Sequence, residues 1–302
     1  MNPLYDHLFG RHAGSDAPFL HFADGSSLGY AGFLGMAAQF AHALTAEGLV
    51  PGDRVAVQVE KSPQALALYA ACAQAGLVFL PLNTAYTIGE LSYFIEDSGA
   101  RMVVCDPAGK EGLAPLAARL GVGLHTLDAA GGGSLTDRAG AMDGVFPTAP
   151  RGADDLAAFL YTSGTTGRSK GAMLTQGNLL SNAETLVEYW RFTDADVLLH
   201  ALPIFHTHGL FVATNVTLAT GGSMIFLPKF DLDTALAVMP RATTMMGVPT
   251  FYTRLLDDAR FTGDIARHMR LFISGSAPLL AETHTRFEAR TGHRILERYG
   301  MT

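Results

Sequence analysis

The sequence predicts an α/β fold of repeated βα units with parallel strands, and three observations carry that expectation. Apolar strand-like runs alternate with helix-period segments from residue 54 almost to residue 300. The 302 residues are 48% hydrophobic and 16% charged, the profile of a globular chain with a large core. No self-similar period of repeat length appears, which excludes solenoids and propellers.

The first series runs through strand 54–60, helix 63–76, strand 77–83, helix 88–99 and strand 101–106. The second begins with strand 155–162 and a helix over 178–190. Strand 196–203, a helix from about Leu210, strand 223–228 and a helix in 231–240 follow. Strand 243–248, helix 251–259, strand 269–274, helix 279–292 and strand 294–300 complete it. Between the series, residues 129–152 contain Gly131, Gly132, Gly133, Pro147 and Pro150, a linker by composition. A soft boundary there gives a first subdomain at 1–150 and a second at 151–302.

Composition narrows the function. The formal net charge is −7 and no dense Lys/Arg cluster occurs, so the electrostatic footprint of a nucleic-acid binder is missing. Cys72 and Cys105 stand far apart and form no CxxC pair. A disulfide framework and a structural zinc site are thereby disfavoured, and a reducing, cytoplasmic compartment is expected. The opening residues lack a secretory pattern. The apolar stretch Leu66 to Leu82 is interrupted by Gln74, Gly76 and Pro81, so no membrane association is expected.

The densest chemical signal is residues 161–171, YTSGTTGRSKG, directly after an apolar strand. Gly164 and Gly167 let backbone N–H groups approach phosphate oxygens, and the hydroxyls of Thr162, Ser163, Thr165 and Thr166 add donors. Arg168 and Lys170 supply the positive charge a triphosphate requires. The segment is not a Walker A loop, because Lys170 lies between Ser169 and Gly171. His206 and His208 have no third ligand nearby in sequence, so no metal site is assigned. His208 is read as structural.

With this loop the sequence resembles the adenylate-forming superfamily of acyl-CoA synthetases, luciferases and peptide-synthetase adenylation domains. Three further segments match in order: Leu202 to Leu210 (LPIFHTHGL), Ser274 to Leu279 (SGSAPL) and Tyr299 to Thr302 (YGMT). The resemblance covers essentially the whole chain and implies two packed α/β subdomains with mostly parallel sheets flanked by helices. It implies that a carboxylate and ATP give an acyl-adenylate, from which coenzyme A displaces AMP, with Mg²⁺ required. Thr162 to Gly167 would wrap the phosphates, while Lys170 and Arg168 neutralise the leaving pyrophosphate. Gly275, Ser276, Ala277 and Pro278 would run beside the adenine, Tyr299 would stack on it, and Gly300 and Met301 continue that motif. Thr302 would bond the α-phosphate, and His206 would meet the reacting carboxylate.

The same resemblance implies parts that follow Thr302: a Mg²⁺-binding Glu, a ribose-binding Asp and a smaller domain with a catalytic lysine. The chain is therefore expected to be a fragment, the nucleotide- and substrate-binding part, with little or no turnover by itself. Binding of nucleotide or acyl-adenylate without turnover is the alternative of another class.

For the acid, Phe205-His206 stands where amino-acid-activating members carry an Asp, which disfavours an amino acid. Arg298, just before Tyr299, ends a predicted strand and would hold a second carboxylate bidentately. Ser276 is a further polar contact to substrate. Residues 247–256, 273–284 and 296–302 look like malonyl-CoA synthetases, so malonate is the expected substrate and methylmalonate the second. A ligase for another short or medium acid is the remaining enzyme reading. Arg241, Arg254 and Arg286 are read as surface residues, and Met245 and Met246 as strand core.

Overall fold

Strands buried on both faces read as unbroken apolar runs, and the six-stranded sheet is built from them. In a computed structural model that describes residues 1–162 and 169–300, this sheet contains β3 (Arg54–Gln58), β4 (Val78–Pro81), β5 (Met102–Cys105), β6 (Gly123–Thr126), β7 (Leu156–Thr162) and β8 (Lys170–Thr175). Every residue of β4 and β5 is buried. The spatial order is β6-β5-β3-β4-β7-β8, parallel except for the β7–β8 hairpin.

The second sheet has seven strands: β1 (Pro18–His21), β2 (Ser27–Gly29), β9 (Val197–His200), β10 (Ser223–Phe226), β11 (Thr244–Gly247), β12 (Leu271–Gly275) and β13 (Ile295–Arg298). Its order is β13-β12-β11-β9-β10-β1-β2, and only β2 runs antiparallel to its neighbour.

The sheets do not divide the chain at residue 150. β1 and β2 lie before the first series yet complete the sheet built by the second, and β7 and β8 return to the first sheet. The two strands that flank residues 163–169 therefore belong to the sheet of the N-terminal series. Alternation missed this because order in sequence does not say which edge a strand joins.

Alternation along each strand sorts side chains into layers. Val55, Phe79, Leu20, Leu198 and Met224, from both sheets, share one core with helices Tyr30–Ala46 and Pro63–Ala75. Their neighbours face outward into separate cores: Leu199, Ile225, Met245 and Phe272 on one sheet, Ala56, Leu80 and Val103 on the other. Helix Pro63–Ala75 is central to the shared layer. Ser62 caps it by accepting from the Ala65 N–H, Pro63 starts it, and left-handed Gly76 ends it. From Ala65 to Ala75 every residue is buried, which the Ala-rich sequence permits by keeping side chains small.

Candidate active site

Open parallel sheets bind ligands beyond the carboxyl ends of their strands, where connections leave neighbouring strands in opposite directions. In the seven-stranded sheet that point lies between β9 and β11. The chain leaves β9 for β10 on one side, while β11 leads to β12 and β13 on the other. A cavity of about 540 Å³ opens there. Its walls are Leu202, Pro203 and His206 after β9, Val248 after β11, Ser276 after β12, and Arg298 at the end of β13. Tyr161 and Thr162, at the end of β7, close it from the other sheet.

The segment after His206 departs from an ordinary helix. His208–Thr214 is π-helical, continued by the α-helix Asn215–Thr220, where the sequence reading expected one helix from about Leu210. A widened turn of this kind is rare and re-aims side chains. Here it places His208 in the cavity wall at 4% exposure. His208 Nδ1 lies 3.3 Å from Ser276 Oγ, while Nε2 has no hydrogen-bond partner among the described residues. Burial, and secondarily the Arg298 charge, push the imidazole pKa down to about 4, so the ring is neutral at pH 7. His208, read from sequence as structural, is thus a wall of the cavity. His206 also lines it, but as an exposed residue whose ring meets Phe205 edge-on.

Arg298 sits in register opposite Gly275, and its guanidinium lies over Gly300, where a Cβ would come within 3.1 Å of it. No ion pair or hydrogen bond to it occurs among the described residues. Burial lowers its pKa from the usual arginine range, but a guanidinium remains charged. Glu297, adjacent in sequence, is engaged elsewhere: it accepts from the Leu279 N–H and pairs with His284. Ser276 holds φ at +70°, a conformation rare outside glycine, and this turn brings Oγ to His208.

The segment read from sequence as the phosphate loop lies between the strands of a hairpin, β7 and β8. Thr162 and Lys170 are register partners in β7 and β8, and Lys170 is exposed. Tyr93 donates its hydroxyl proton to the Ser169 carbonyl at 2.8 Å, and Tyr161 donates to Asp97 Oδ2 at 2.7 Å. Ser163, Gly164, Thr165, Thr166, Gly167 and Arg168, and Met301 and Thr302, lie outside the described residues. Of the residues expected beside the adenine, Ala277 and Pro278 are exposed and the Tyr299 ring is 88% exposed. The structure therefore brings His206, His208, Ser276, Arg298 and Gly300 together, with Thr162 across the cavity. Among the described residues no cluster of three His, Cys, Asp or Glu side chains could hold a metal ion, and no helix is long and apolar enough to cross a membrane. Arg254 lies over the Phe230 ring, Arg286 pairs with Asp257, Arg241 is exposed, and Met245 and Met246 are core.

Both sheets, the cavity at their strand ends and the glycine- and threonine-rich segment between β7 and β8 define a nucleotide-handling enzyme class. Residues 10–302 match the model of the AMP-binding enzyme family, and the chain belongs to that family. It is 36% identical to the feruloyl-CoA synthase of an Amycolatopsis species over 282 residues, 92% of this chain and 55% of that protein. It is 38% identical to the mitochondrial malonate–CoA ligase of Mus musculus over 244 residues, 75% of this chain and 41% of that protein. The crystal structure of ATP-bound MatB from Rhodopseudomonas palustris superposes with a TM-score of 0.96 at 59% identity, covering 100% of this chain and 60% of that one. The chain spans about half the length of these curated relatives.

Proposed function

We propose that this chain is the nucleotide- and acid-binding part of an AMP-forming acyl-CoA ligase that converts malonate, through malonyl-AMP, to malonyl-CoA. The observation that carries the reading is the guanidinium of Arg298, unpaired among the described residues and set in the cavity wall beside the neutral ring of His208. A dicarboxylate needs one carboxylate free to react and the other held, and a planar fork holds a carboxylate bidentately. The likeness to a malonate–CoA ligase at 38% identity and to MatB at 59% supports it. Leu202 and Val248 give the cavity apolar wall, against which one added methyl is weakly discriminated, so methylmalonate is the second substrate.

The residues present suit a nucleotide. Lys170 and Thr162 flank the segment that would hold the β- and γ-phosphates. Gly275 to Pro278 border the adenine side, and the exposed Tyr299 ring offers a stacking face. His208 Nδ1 and Ser276 Oγ share a hydrogen bond, and the neutral His208 ring stands in the cavity wall beside Arg298, where the reacting carboxylate would lie. His206, at the mouth, meets the same carboxylate. When bound, ATP supplies the leaving group that a carboxylate lacks, and coenzyme A supplies the accepting thiol. The described residues offer no metal-binding cluster, and no step is assigned to Mg²⁺.

Calorimetric titration of the chain in saturating AMP tests the reading. Malonate is expected to bind tightest, methylmalonate next, and acetate, propionate and ferulate weakly. Tighter binding of ferulate overturns malonate in favour of an aromatic acid, the reading the feruloyl-CoA synthase relative supports. AMP binding with no acid binding reduces the chain to a nucleotide-binding module. Little malonyl-CoA is expected from the 302 residues alone, since they span 60% of MatB; turnover matching a longer relative overturns that expectation.

A further inference from the structure

Lys61 follows β3 and directly precedes the capping residue Ser62, and it is only 7% exposed. No acidic side chain pairs with it among the described residues. Its Nζ instead donates to the His200 carbonyl at 2.9 Å and the Leu202 carbonyl at 3.0 Å, and lies 2.7 Å from His200 Nδ1. The Phe226 ring closes the remaining side, its centroid 4.3 Å away. A cation set beside a helix N-terminus and away from water is costly unless its protons are placed. Here all three have acceptors.

The bonds of His200 settle its tautomer. Nε2 lies 2.8 Å from the Gly209 carbonyl, which can only accept, so Nε2 carries the proton and Nδ1 accepts from Lys61. Thr214 donates to the same carbonyl at 3.0 Å. Gly209 is the second residue of the π-helical turn, and a Cβ there would stand 2.0 Å from the Pro203 carbonyl oxygen. Lys61 thus fastens the start of segment 201–209 at Leu202, and through His200 it fastens the end at Gly209. His206 and His208 lie between the two ties.

We propose that Lys61 is a positioning residue for the acid end of the cavity: reaching from the six-stranded sheet, it fixes the His200 tautomer and both ends of segment 201–209, and so sets where His208 faces Arg298. The proposal rests on reading that cavity as the acid site. It is tested on the full chain labelled with ¹⁵N-histidine, by imidazole NMR together with malonate titration in saturating AMP. The unaltered chain is expected to show His200 as a single neutral Nε2–H tautomer. Lys61→Met is expected to lose that signature, move the His208 ring signals and weaken malonate binding about tenfold, with AMP affinity changed by no more than about twofold. Unmoved His208 signals and unchanged malonate affinity overturn the proposal.

A second pair keeps the test decisive where Lys61→Met fails to fold. His200→Gln retains an amide N–H that reaches Gly209 and is expected to stay near the unaltered chain, whereas His200→Asn is too short and is expected to behave like Lys61→Met. Equal losses in the two variants overturn the proposal. A chain whose malonate binding is absent from the start refutes the substrate reading instead, and the His200 and His208 signals still decide the positioning role.

Discussion

Gly275 and Arg298 are register partners at the carboxyl ends of β12 and β13, and the His208 ring packs against the glycine so closely that a Cβ would meet its Cε1 at 3.0 Å. The same Cβ would stand 3.3 Å from the Arg298 carbonyl oxygen. One missing side chain therefore lets the imidazole and the guanidinium share a wall.

Gly275→Ala is expected to destabilise the fold by about 1–3 kcal/mol and to push His208 out of line. Thermal unfolding and malonate titration check it: both the melting temperature and the malonate affinity should fall.

Arg298→Ala removes a charged donor pair and is expected to cost about 1.5–3 kcal/mol of malonate binding, roughly ten- to a hundredfold, while acetate binding changes little. Arg298→Lys should recover only part of the loss, because an ammonium lacks the planar fork. A malonate-to-acetate preference that survives Arg298→Ala refutes the role given to this residue.

Acid should destabilise the protein through His208. The unfolded imidazole takes up its proton near pH 6.5, but the folded one only at about 4. Stability is thus lost as pH falls through that window, by at most about 3 kcal/mol from this group. Burial lowers His200 and His12 in the same direction. Melting temperatures at pH 7 and pH 5 should differ, and His208→Gln should narrow the difference.

On the proposed reading, Lys170→Met is expected to weaken ATP binding by about tenfold or more while sparing AMP, because the lost charge would face phosphates that AMP lacks. Parallel titrations with the two nucleotides measure it; equal losses would remove Lys170 from the phosphate end.

Much of this molecule was legible from its residues. β4 and β5 stand out because both their faces are buried, and helix Pro63–Ala75 because Ser62-Pro63 and Gly76 mark its ends. Arg298 and Ser276 were found through motif position, and both line the cavity. The short β1 and β2 carry too few alternating positions to register, and the π-helical turn is hidden because every residue from His208 to Thr214 is buried. The place of His208 depends on Ser276 and Arg298, far along the chain, and Lys61 draws its meaning from His200 and Leu202. Such distant partners leave no local pattern.

The split of the seven-stranded sheet between β1–β2 and the far later β9–β13 also governs how the protein must be made. Leu20 pairs in register with Met224, so the first hairpin to leave the ribosome waits for a template strand synthesised far later. Until then Phe19 and Leu20, fully buried at the end, stand open to other chains. The six-stranded sheet, β3 to β8, can form first, but the seven-stranded one cannot, and nascent chains halted before β10 are natural clients for chaperones.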